Sequence, residues 1–300
     1  MTVTPEHDAP RPRIGDGFSD AVTIAFGDAR ADLYGVARLG LAGNGASGLV
    51  ILFHRGEPVA VQADGGVDVS EPRSWDEISA AGLDTEVVEP LREWRLSYAS
   101  DDAAFDLELH AIGAIAELDE QDPVARAGGM TGYEQACRVT GSATVRGERI
   151  SVDGLGQRGH SWGSPDWSRI SLARTIGAWM GEDLAVSLAA IRPAGAEHHE
   201  DERVAATILD HDPESDAPRA SAVLDPRVST MYDADGRQRA AGLELYLDED
   251  GFPRRAAGEV VCGTTLDLGR LRLDCAFFRW RMEGRTGFGR YDVLRRAAAS

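Results

Sequence analysis

The sequence predicts an all-β protein made of two consecutive antiparallel β-barrels or half-barrels. Short segments of alternating apolar and polar residues follow one another along most of the 300 residues, separated by turns that contain glycine. No segment longer than about ten residues has the periodicity of an amphipathic helix, and α/β folds need such helices between their strands. An antiparallel barrel of about eight strands takes roughly 130–150 residues, so the chain has room for two.

Eight strands are predicted in the first half of the chain. They are residues 22–26, 32–41, 48–54, 59–62, 94–98, 105–112, 137–145 and 149–152. Turns that contain Gly56 and Gly147 predict two hairpins, which pair the third strand with the fourth and the seventh with the eighth. Residues 75–81 are a candidate short helix.

The second half continues in the same style. Its predicted strands are residues 170–179, 184–191, 205–209, 220–224, 243–247, 258–266 and 271–282. The glycine-containing run 287–292 is predicted to be a closing turn and last strand rather than a phosphate loop, and residues 293–298 a final helical turn. The acidic stretches 193–203 and 210–219 are predicted to be solvated insertions. His198, His199 and Glu200 within the first of them are poor metal ligands, because neighbours in a loop rarely face one ion.

The chain is predicted to have three parts: a flexible N-terminal segment (1–18) and two β-domains (19–160 and 161–300). The N-terminal residues are polar and lack the apolar core of a signal peptide, and no apolar run approaches transmembrane length. The three cysteines, Cys137, Cys262 and Cys275, are too widely spaced for a zinc site or a disulfide framework, and they are predicted to be buried thiols. These features together predict a cytoplasmic protein without a membrane span.

Charge and composition exclude several functions. The formal net charge is −19, which argues against nucleic acid as a partner because both carry negative charge. All 31 basic residues are arginine, so a Schiff-base lysine and a phosphate-loop lysine are impossible. Ser161 lacks the Gly-x-Ser-x-Gly elbow of a serine hydrolase, and no Gly-x-Gly-x-x-Gly fingerprint follows a strand. No cofactor and no metal are therefore predicted.

The densest group of reactive and aromatic residues lies in residues 154–167. Arg158, His160 and Trp162 alternate there, so a strand would direct all three to one face. Asp166 follows, and an aspartate that orients a histidine is a common arrangement for proton transfer. We therefore predict His160 and Asp166 as catalytic residues. The predicted substrate-binding residues are Arg158, Trp162, Trp167, Tyr133, Glu134, Trp179 and Trp94.

The same residues have a purely structural interpretation. Tryptophans, glycines and an Arg158–Asp166 ion pair at a domain junction would form a packing knot, with His160 as a satisfied core histidine. From the residue types alone, the structural and functional interpretations have similar weight.

Residues 133–167 resemble the AttH/carotenoid-hydratase-like superfamily of lipocalin-like proteins. The resemblance rests on Tyr133-Glu134-Gln135, on Val139-Thr140-Gly141 and on the motif in residues 154–167, which in the family often reads Gly-x-Gly-x-Arg-Asp-His-Ser-Trp-Gly-x-Arg-Asp-Trp. It implies two calycin-type barrels, with a ligand cavity near their junction and site roles for His160 and Trp162. Gly159 and Pro165 depart from the pattern, since Asp and Arg are usual at these positions. The missing Asp would remove a proton donor or a partner of His160.

Three functions follow as hypotheses. The first is a cofactor-independent enzyme that hydrates, isomerises or cyclises a hydrophobic polyene, terpenoid, steroid or polyketide in a barrel cavity. The second is a non-catalytic carrier of a hydrophobic small molecule, in the manner of lipocalins. In the third, the motif is only a latch between domains, and function lies on a protein-binding surface. The substrate and the oligomeric state are left open.

Overall fold

A computed structural model describes residues 2–12, 15, 17–43, 45–69, 72–198 and 201–297. Within them, eighteen strands form two nine-stranded antiparallel sheets, and each sheet curls into a half-barrel, which confirms the predicted fold class. The first sheet contains β1 (Ser19–Asp28), β2 (Leu33–Ala42), β3 (Gly45–His54), β4 (Glu57–Asp68), β5 (Leu83–Glu89), β6 (Glu93–Ala99), β7 (Ala103–Leu118), β8 (Met130–Val145) and β9 (Glu148–Gly163). They lie in the order β4-β3-β2-β1-β9-β8-β7-β6-β5.

The second sheet repeats this order nine strands later, as β13-β12-β11-β10-β18-β17-β16-β15-β14. It contains β10 (Ile170–Trp179), β11 (Ala185–Pro193), β12 (Arg203–His211), β13 (Pro218–Ala222), β14 (Asp225–Tyr232), β15 (Gln238–Tyr246), β16 (Arg254–Leu268), β17 (Leu271–Met282) and β18 (Arg285–Arg296). Each sheet is therefore built from one continuous stretch of strands.

Two-residue turns that end in glycine set the register of three hairpins. Arg55-Gly56, Arg146-Gly147 and Glu283-Gly284 all have positive φ at both residues, between 48° and 83°. Positive φ at both residues is typical of the type I′ turn, whose twist matches that of antiparallel strands. Glycine occupies the second position of this turn without strain. The two hairpins predicted through Gly56 and Gly147 are confirmed as β3–β4 and β8–β9.

Each half-barrel encloses a hydrophobic core. Curling of the first sheet brings β4 near β6, where the Tyr98 hydroxyl donates to Gln62 Oε1 at 3.2 Å. Large aromatic side chains fill the first core, including Phe26, Trp75, Trp94 and Phe105. The second core combines Phe278 and Trp280 with many alanines. As predicted, the three cysteines are buried free thiols.

Helical structure differs from the prediction in three places. Residues 75–81 form only a single 3-10 turn, Trp75–Glu77. Residues 293–296 continue β18, because their alternating side chains belong to that strand, so the final helical turn is wrong there; residues 298–300 lie outside the described residues. The helix α1 (Pro123–Gly128) was not predicted; it packs on β11 and β12.

The chain divides into two compact units. The first comprises Met1–Glu117 and Met130–Pro165, and the second comprises Leu118–Gly129 and Asp166–Ser300. The sequence predicts contiguous domains, whereas the α1 segment interrupts the first unit in sequence and belongs to the second. Residues predicted as a flexible lead-in include a 3-10 helix, Pro5–Asp8, in which Asp8 is buried. In the described part of the chain, no helix is both long and apolar enough to cross a membrane.

Candidate functional site

Strand alternation places Arg158, His160 and Trp162 on the inward face of β9, as their spacing predicts. Ile150 and Val152 share this face and belong to the first core. On β8, Tyr133 lies opposite His160 and Gln135 lies opposite Arg158, so these side chains face inward as well. The inward face of the first sheet therefore changes from apolar to polar toward the end of β9.

Asp8 is the centre of a buried hydrogen-bond cluster at this end of the sheet. Its carboxylate accepts from the Leu91 backbone N–H at 2.6 Å, from Trp94 Nε1 at 2.9 Å and from the Tyr133 hydroxyl at 2.6 Å. Arg158 Nη1 donates to the same carboxylate, and Arg158 and Asp8 are each only 2% exposed. Asp8 thus connects the N-terminal segment to the β5–β6 loop and to strands β6, β8 and β9 of the first unit.

The Asp8–Arg158 pair is ionised at neutral pH. Burial raises the pKa of the Asp8 carboxyl, but the positive charge of Arg158 and the hydrogen bonds of Tyr133 and Leu91 outweigh burial and hold that pKa below 3.8. The second guanidinium nitrogen of Arg158 donates to Gln135 Oε1 at 3.0 Å, and the guanidinium lies 4.8 Å from the ring centroid of Trp94. Its charge is therefore satisfied entirely by neighbours inside the protein.

His160 is completely buried, and both of its ring nitrogens face acceptors. Nδ1 lies 2.7 Å from the His7 carbonyl oxygen, and Nε2 lies 2.6 Å from Asp20 Oδ1. A carbonyl only accepts, so Nδ1 carries a hydrogen. Nε2 and the Asp20 carboxylate are also within hydrogen-bond distance. Both ring nitrogens of His160 are therefore occupied by groups of the chain itself.

Aromatic side chains surround His160. The ring centroids of Trp75, Tyr133 and Trp162 lie 5.5, 5.9 and 5.0 Å from that of His160, in edge-on arrangements. Trp75 Nε1 is buried without a hydrogen-bond partner among the described residues. Arg11, whose backbone N–H donates to Asp20 Oδ2 at 2.6 Å, lies 4.6 Å above the Trp162 ring. The N-terminal segment therefore covers His160, Asp20 and Trp162 together.

The predicted pairing of His160 with Asp166 is wrong. Asp166 lies in the second unit, where it accepts from the Ser168 hydroxyl at 2.6 Å and from the Ser168 backbone N–H at 2.9 Å. These bonds to Ser168 lower the pKa of the exposed Asp166 carboxyl. Asp20 on β1, beside β9, occupies the position predicted for Asp166.

The other predicted residues divide into two groups. Tyr133, Trp94, Arg158 and Trp162 belong to the buried cluster. Glu134 faces outward from β8 and accepts from Gln157 Nε2 at 2.7 Å, while Trp167 and Trp179 belong to the second unit. The structure therefore brings together four of the seven predicted binding residues.

Gly159 does not deprive His160 of a partner, contrary to the expectation. Residue 159 points away from His160 because neighbouring residues of a strand face opposite sides. Gly159 lies opposite Glu134, and a Cβ on Gly159 would overlap the Glu134 carboxylate. The Glu134 carboxylate therefore occupies the space beside Gly159 on the outward face.

Several contributors to the cluster were not predicted from the sequence, among them Asp8, Asp20, Arg11 and Trp75. Asp20 precedes the alternating segment 22–26, and its position in phase with that segment would have placed it on the inward face. No local pattern indicates Asp8, since its partner Arg158 is 150 residues away.

Among the described residues, no group of three or more His, Cys, Asp or Glu side chains is placed to hold a metal ion. His199 and Glu200, considered above as metal ligands, lie outside the described residues.

A family model for a domain of unknown function, DUF7064, matches residues 4–297. No curated protein matches the sequence. Several solved structures share the fold. AttH (NE1406) of Nitrosomonas europaea has a TM-score of 0.66 and 14% identity over 93% of this chain and 92% of that one. The resemblance stated from the motif is thereby confirmed at the level of the fold.

Two further structures are similar over nearly their whole length. Kievitone hydratase of Nectria haematococca has a TM-score of 0.62 and 15% identity over 93% of this chain and 89% of that one. CghA has a TM-score of 0.64 and 10% identity over 95% of this chain and 90% of that one, and it has also been solved with Sch210972.

Proposed function

The chain belongs to the DUF7064 family, and we propose that it is a cofactor-independent enzyme acting on a small, largely apolar organic molecule. Hydration, isomerisation or cyclisation of a polyene, terpenoid, steroid or polyketide is the proposed reaction class. The similarity in fold to a hydratase, and to CghA, which has been solved with an organic compound, supports the proposal. The three buried thiols favour a reducing compartment, and the cytoplasm is the proposed location.

The observation that carries the proposal is the 2.6 Å contact between His160 Nε2 and Asp20 Oδ1 among aromatic rings. A histidine held by a carboxylate is a common general acid and base. In a hydration, His160 Nδ1 would protonate one carbon of a double bond, water would add to the other, and the proton lost by that water would return to His160. Trp162 and Tyr133 would stabilise the cationic intermediate through their ring faces.

The proposal requires the N-terminal segment to move. Nδ1 of His160 is occupied by the His7 carbonyl, and this ring nitrogen must become free before it can serve a substrate. The substrate would enter the space that residues 7–11 occupy beside Trp162, while Asp20 keeps its contact with Nε2. Loops that cover a site and open for the substrate are common in enzymes.

Substitution of His160 and of Asp20 tests the mechanism. Wild-type protein is incubated with a panel of polyenes, terpenoids, steroids and polyketides in D₂O, and mass spectrometry follows added water, isomers and deuterium incorporation. We expect His160→Gln and Asp20→Asn to lose at least 100-fold in turnover, since general acid–base catalysis contributes about 10²–10⁴-fold. Asp166→Asn is the matched control and should keep full activity. Full turnover by folded His160→Gln would refute the mechanism.

A carrier of an apolar small molecule is the second candidate function. The observation that favours it is that both ring nitrogens of His160 are bound inside the chain, which leaves neither nitrogen free for chemistry. A carrier would return its ligand with unchanged mass and retention time after hours of incubation. Any product in that experiment would exclude a carrier role for that ligand.

A further inference from the structure

The inward face of the second half-barrel ends in a row of arginines. Across β11, β10, β18 and β17, the register places Arg192 beside Leu172, Leu172 beside Arg295, and Arg295 beside Arg272. The next row inward contains Arg174 and Asp274, both paired with Val293. Val293 belongs to the second core, so both rows face the interior.

Arg174 is the innermost of these arginines, and it reaches across the half-barrel to β14. Its Nη1 donates to Thr230 Oγ1 at 3.2 Å and to the Tyr291 hydroxyl at 3.5 Å, and those two hydroxyl oxygens lie 2.5 Å apart. Arg174 Nε and Glu202 Oε1 are 3.1 Å apart, but without the alignment of a hydrogen bond. The Arg174 and Glu202 side chains are only 3% and 4% exposed. A buried guanidinium thus lacks a well-aligned acceptor at Nε among the described residues.

Arginines are concentrated at this end of the second half-barrel. The inward rows carry Arg174, Arg192, Arg272 and Arg295, while the carboxylates paired with them are Glu202 and Asp274. The nearby β14–β15 loop adds Asp233, Asp235 and Arg237, which pair with one another and are more exposed. Four arginines therefore lie close together in a chain whose net charge is −19.

Apolar side chains adjoin the arginines and are in part open to solvent. Leu172, Val204 and Val228 pack against the second core but are only partly buried. Tyr232 at the end of β14 is 39% exposed, and Arg295 lies 5.8 Å from its ring centroid. A ligand at this position would meet apolar walls and cationic groups together, as small-molecule sites commonly provide.

We infer that this end of the second half-barrel binds the anionic oxygen of an otherwise apolar organic acid. Arg174, with the hydroxyls of Thr230 and Tyr291, receives the carboxylate or enolate, and Leu172, Val204 and Val228 contact the apolar part. Arginine is suited to this role because its planar guanidinium can donate hydrogen bonds to both oxygens of a carboxylate at once. The inference is independent of catalysis in the first unit, because it concerns binding alone.

Calorimetric titration of the full chain with octanoate and with 1-octanol tests the inference. The two probes share the alkyl chain and differ in the charged group. The wild type should bind octanoate at least tenfold more tightly than 1-octanol. Arg174→Gln should remove this preference, whereas Arg255→Gln, which changes an exposed arginine on β16, should leave it intact.

Two further variants keep the test decisive if Arg174→Gln fails to fold. Tyr291→Phe removes a hydroxyl but keeps the ring, and Arg192→Gln alters the rim of the site. Each should weaken octanoate binding more than 1-octanol binding. Equal affinity of the wild type for both probes, or an unchanged preference in the folded variants, would overturn the inference without bearing on His160.

Discussion

Asp8 accepts hydrogen bonds from four residues, so replacing it removes the counter-charge of a guanidinium that is 2% exposed. We expect Asp8→Asn to lower the free energy of unfolding by about 3–5 kcal/mol, because one partner of a buried pair is left charged and alone. Urea denaturation at pH 7 measures this loss.

A double variant separates pairing from packing at the same site. Arg158→Met in the Asp8→Asn background removes the guanidinium charge that has lost its partner and keeps an extended apolar side chain. It should recover much of the lost stability, because buried ion pairs are often replaceable by apolar residues. A double variant as unstable as the sum of both single variants would contradict this view of the pair.

Two buried tryptophans offer a matched comparison. Trp75 and Trp94 are 0% and 1% exposed, but only Trp94 donates its indole N–H to Asp8, at 2.9 Å, whereas Trp75 Nε1 has no partner among the described residues. Substitution by Phe removes a similar volume at each position. Trp94→Phe should therefore cost about 1.5–3 kcal/mol more, the usual contribution of a hydrogen bond to a charged group. Equal losses in chemical denaturation would show that this bond contributes little.

Gly159 and Glu134 form a further testable pair. Gly159→Asp would place a second carboxylate against Glu134, and repulsion and crowding should destabilise the protein by about 1–3 kcal/mol. Adding Glu134→Ser should restore stability, because the shorter, uncharged side chain removes both the crowding and the repulsion between the two carboxylates. Thermal unfolding of the single and double variants measures the effect, with Gly159→Ala as the uncharged control.

At the scale of elements, the strands were predictable because their side chains alternate and glycine turns separate them. Even so, β5 and β14 were not predicted, because more than half of the residues of each strand are exposed and few of them are apolar. The sequence does contain the residues that begin and end helix α1. Asp122 caps its N-terminus, Pro123 is its first residue, and Gly129 ends it with φ of 66°.

The candidate site was predictable only within β8 and β9. Arg158, His160 and Trp162 share a strand, so their spacing gave their common face. Asp8, His7 and Arg11 reach the same place from a segment without periodicity, and a contact across 150 residues leaves no local trace. Asp166 was chosen for its nearness in sequence, whereas antiparallel pairing brought Asp20 to His160.

The N-terminal segment should detach in acid. The pKa of Asp8 lies below its ordinary value of 3.8, so the unfolded chain binds this proton more tightly than the folded chain. The stabilisation is complete at neutral pH and is lost as the pH falls below 3.8 through the pKa of folded Asp8. Hydrogen exchange should therefore show early loss of protection at the Leu91 amide, which donates to Asp8. In the Asp8→Asn variant, the protection of the Leu91 amide from exchange should not depend on pH in this range.

At the scale of the whole molecule, the two units repeat one strand order, and equivalent positions have diverged. In both units a Gly-x-Gly pair lies against backbone carbonyls of the neighbouring strand, Gly154 and Gly156 in the first and Gly287 and Gly289 in the second. Aligned on these glycines, Arg158 corresponds to Tyr291, and His160 corresponds to Val293 beside Arg174. Both half-barrels are thus polar at the same end. In the first, the N-terminal segment covers the polar groups, whereas in the second Arg174 Nε has no aligned hydrogen-bond acceptor among the described residues. This difference favours the second unit as the place where an anion binds.

The net charge of −19 and the local arginines act on an anion over different distances. The whole-chain charge repels octanoate over the Debye length, which is about 30 Å at 0.01 M salt and about 10 Å at 0.1 M, whereas buried Arg174 attracts it at contact and is screened less. The association rate constant of octanoate should therefore rise between 10 and 200 mM NaCl, while that of 1-octanol stays constant. Stopped-flow tryptophan fluorescence measures both. If the association rate constant of octanoate fell as salt was added, the arginines rather than the net charge would determine the electrostatic potential that octanoate meets at a distance.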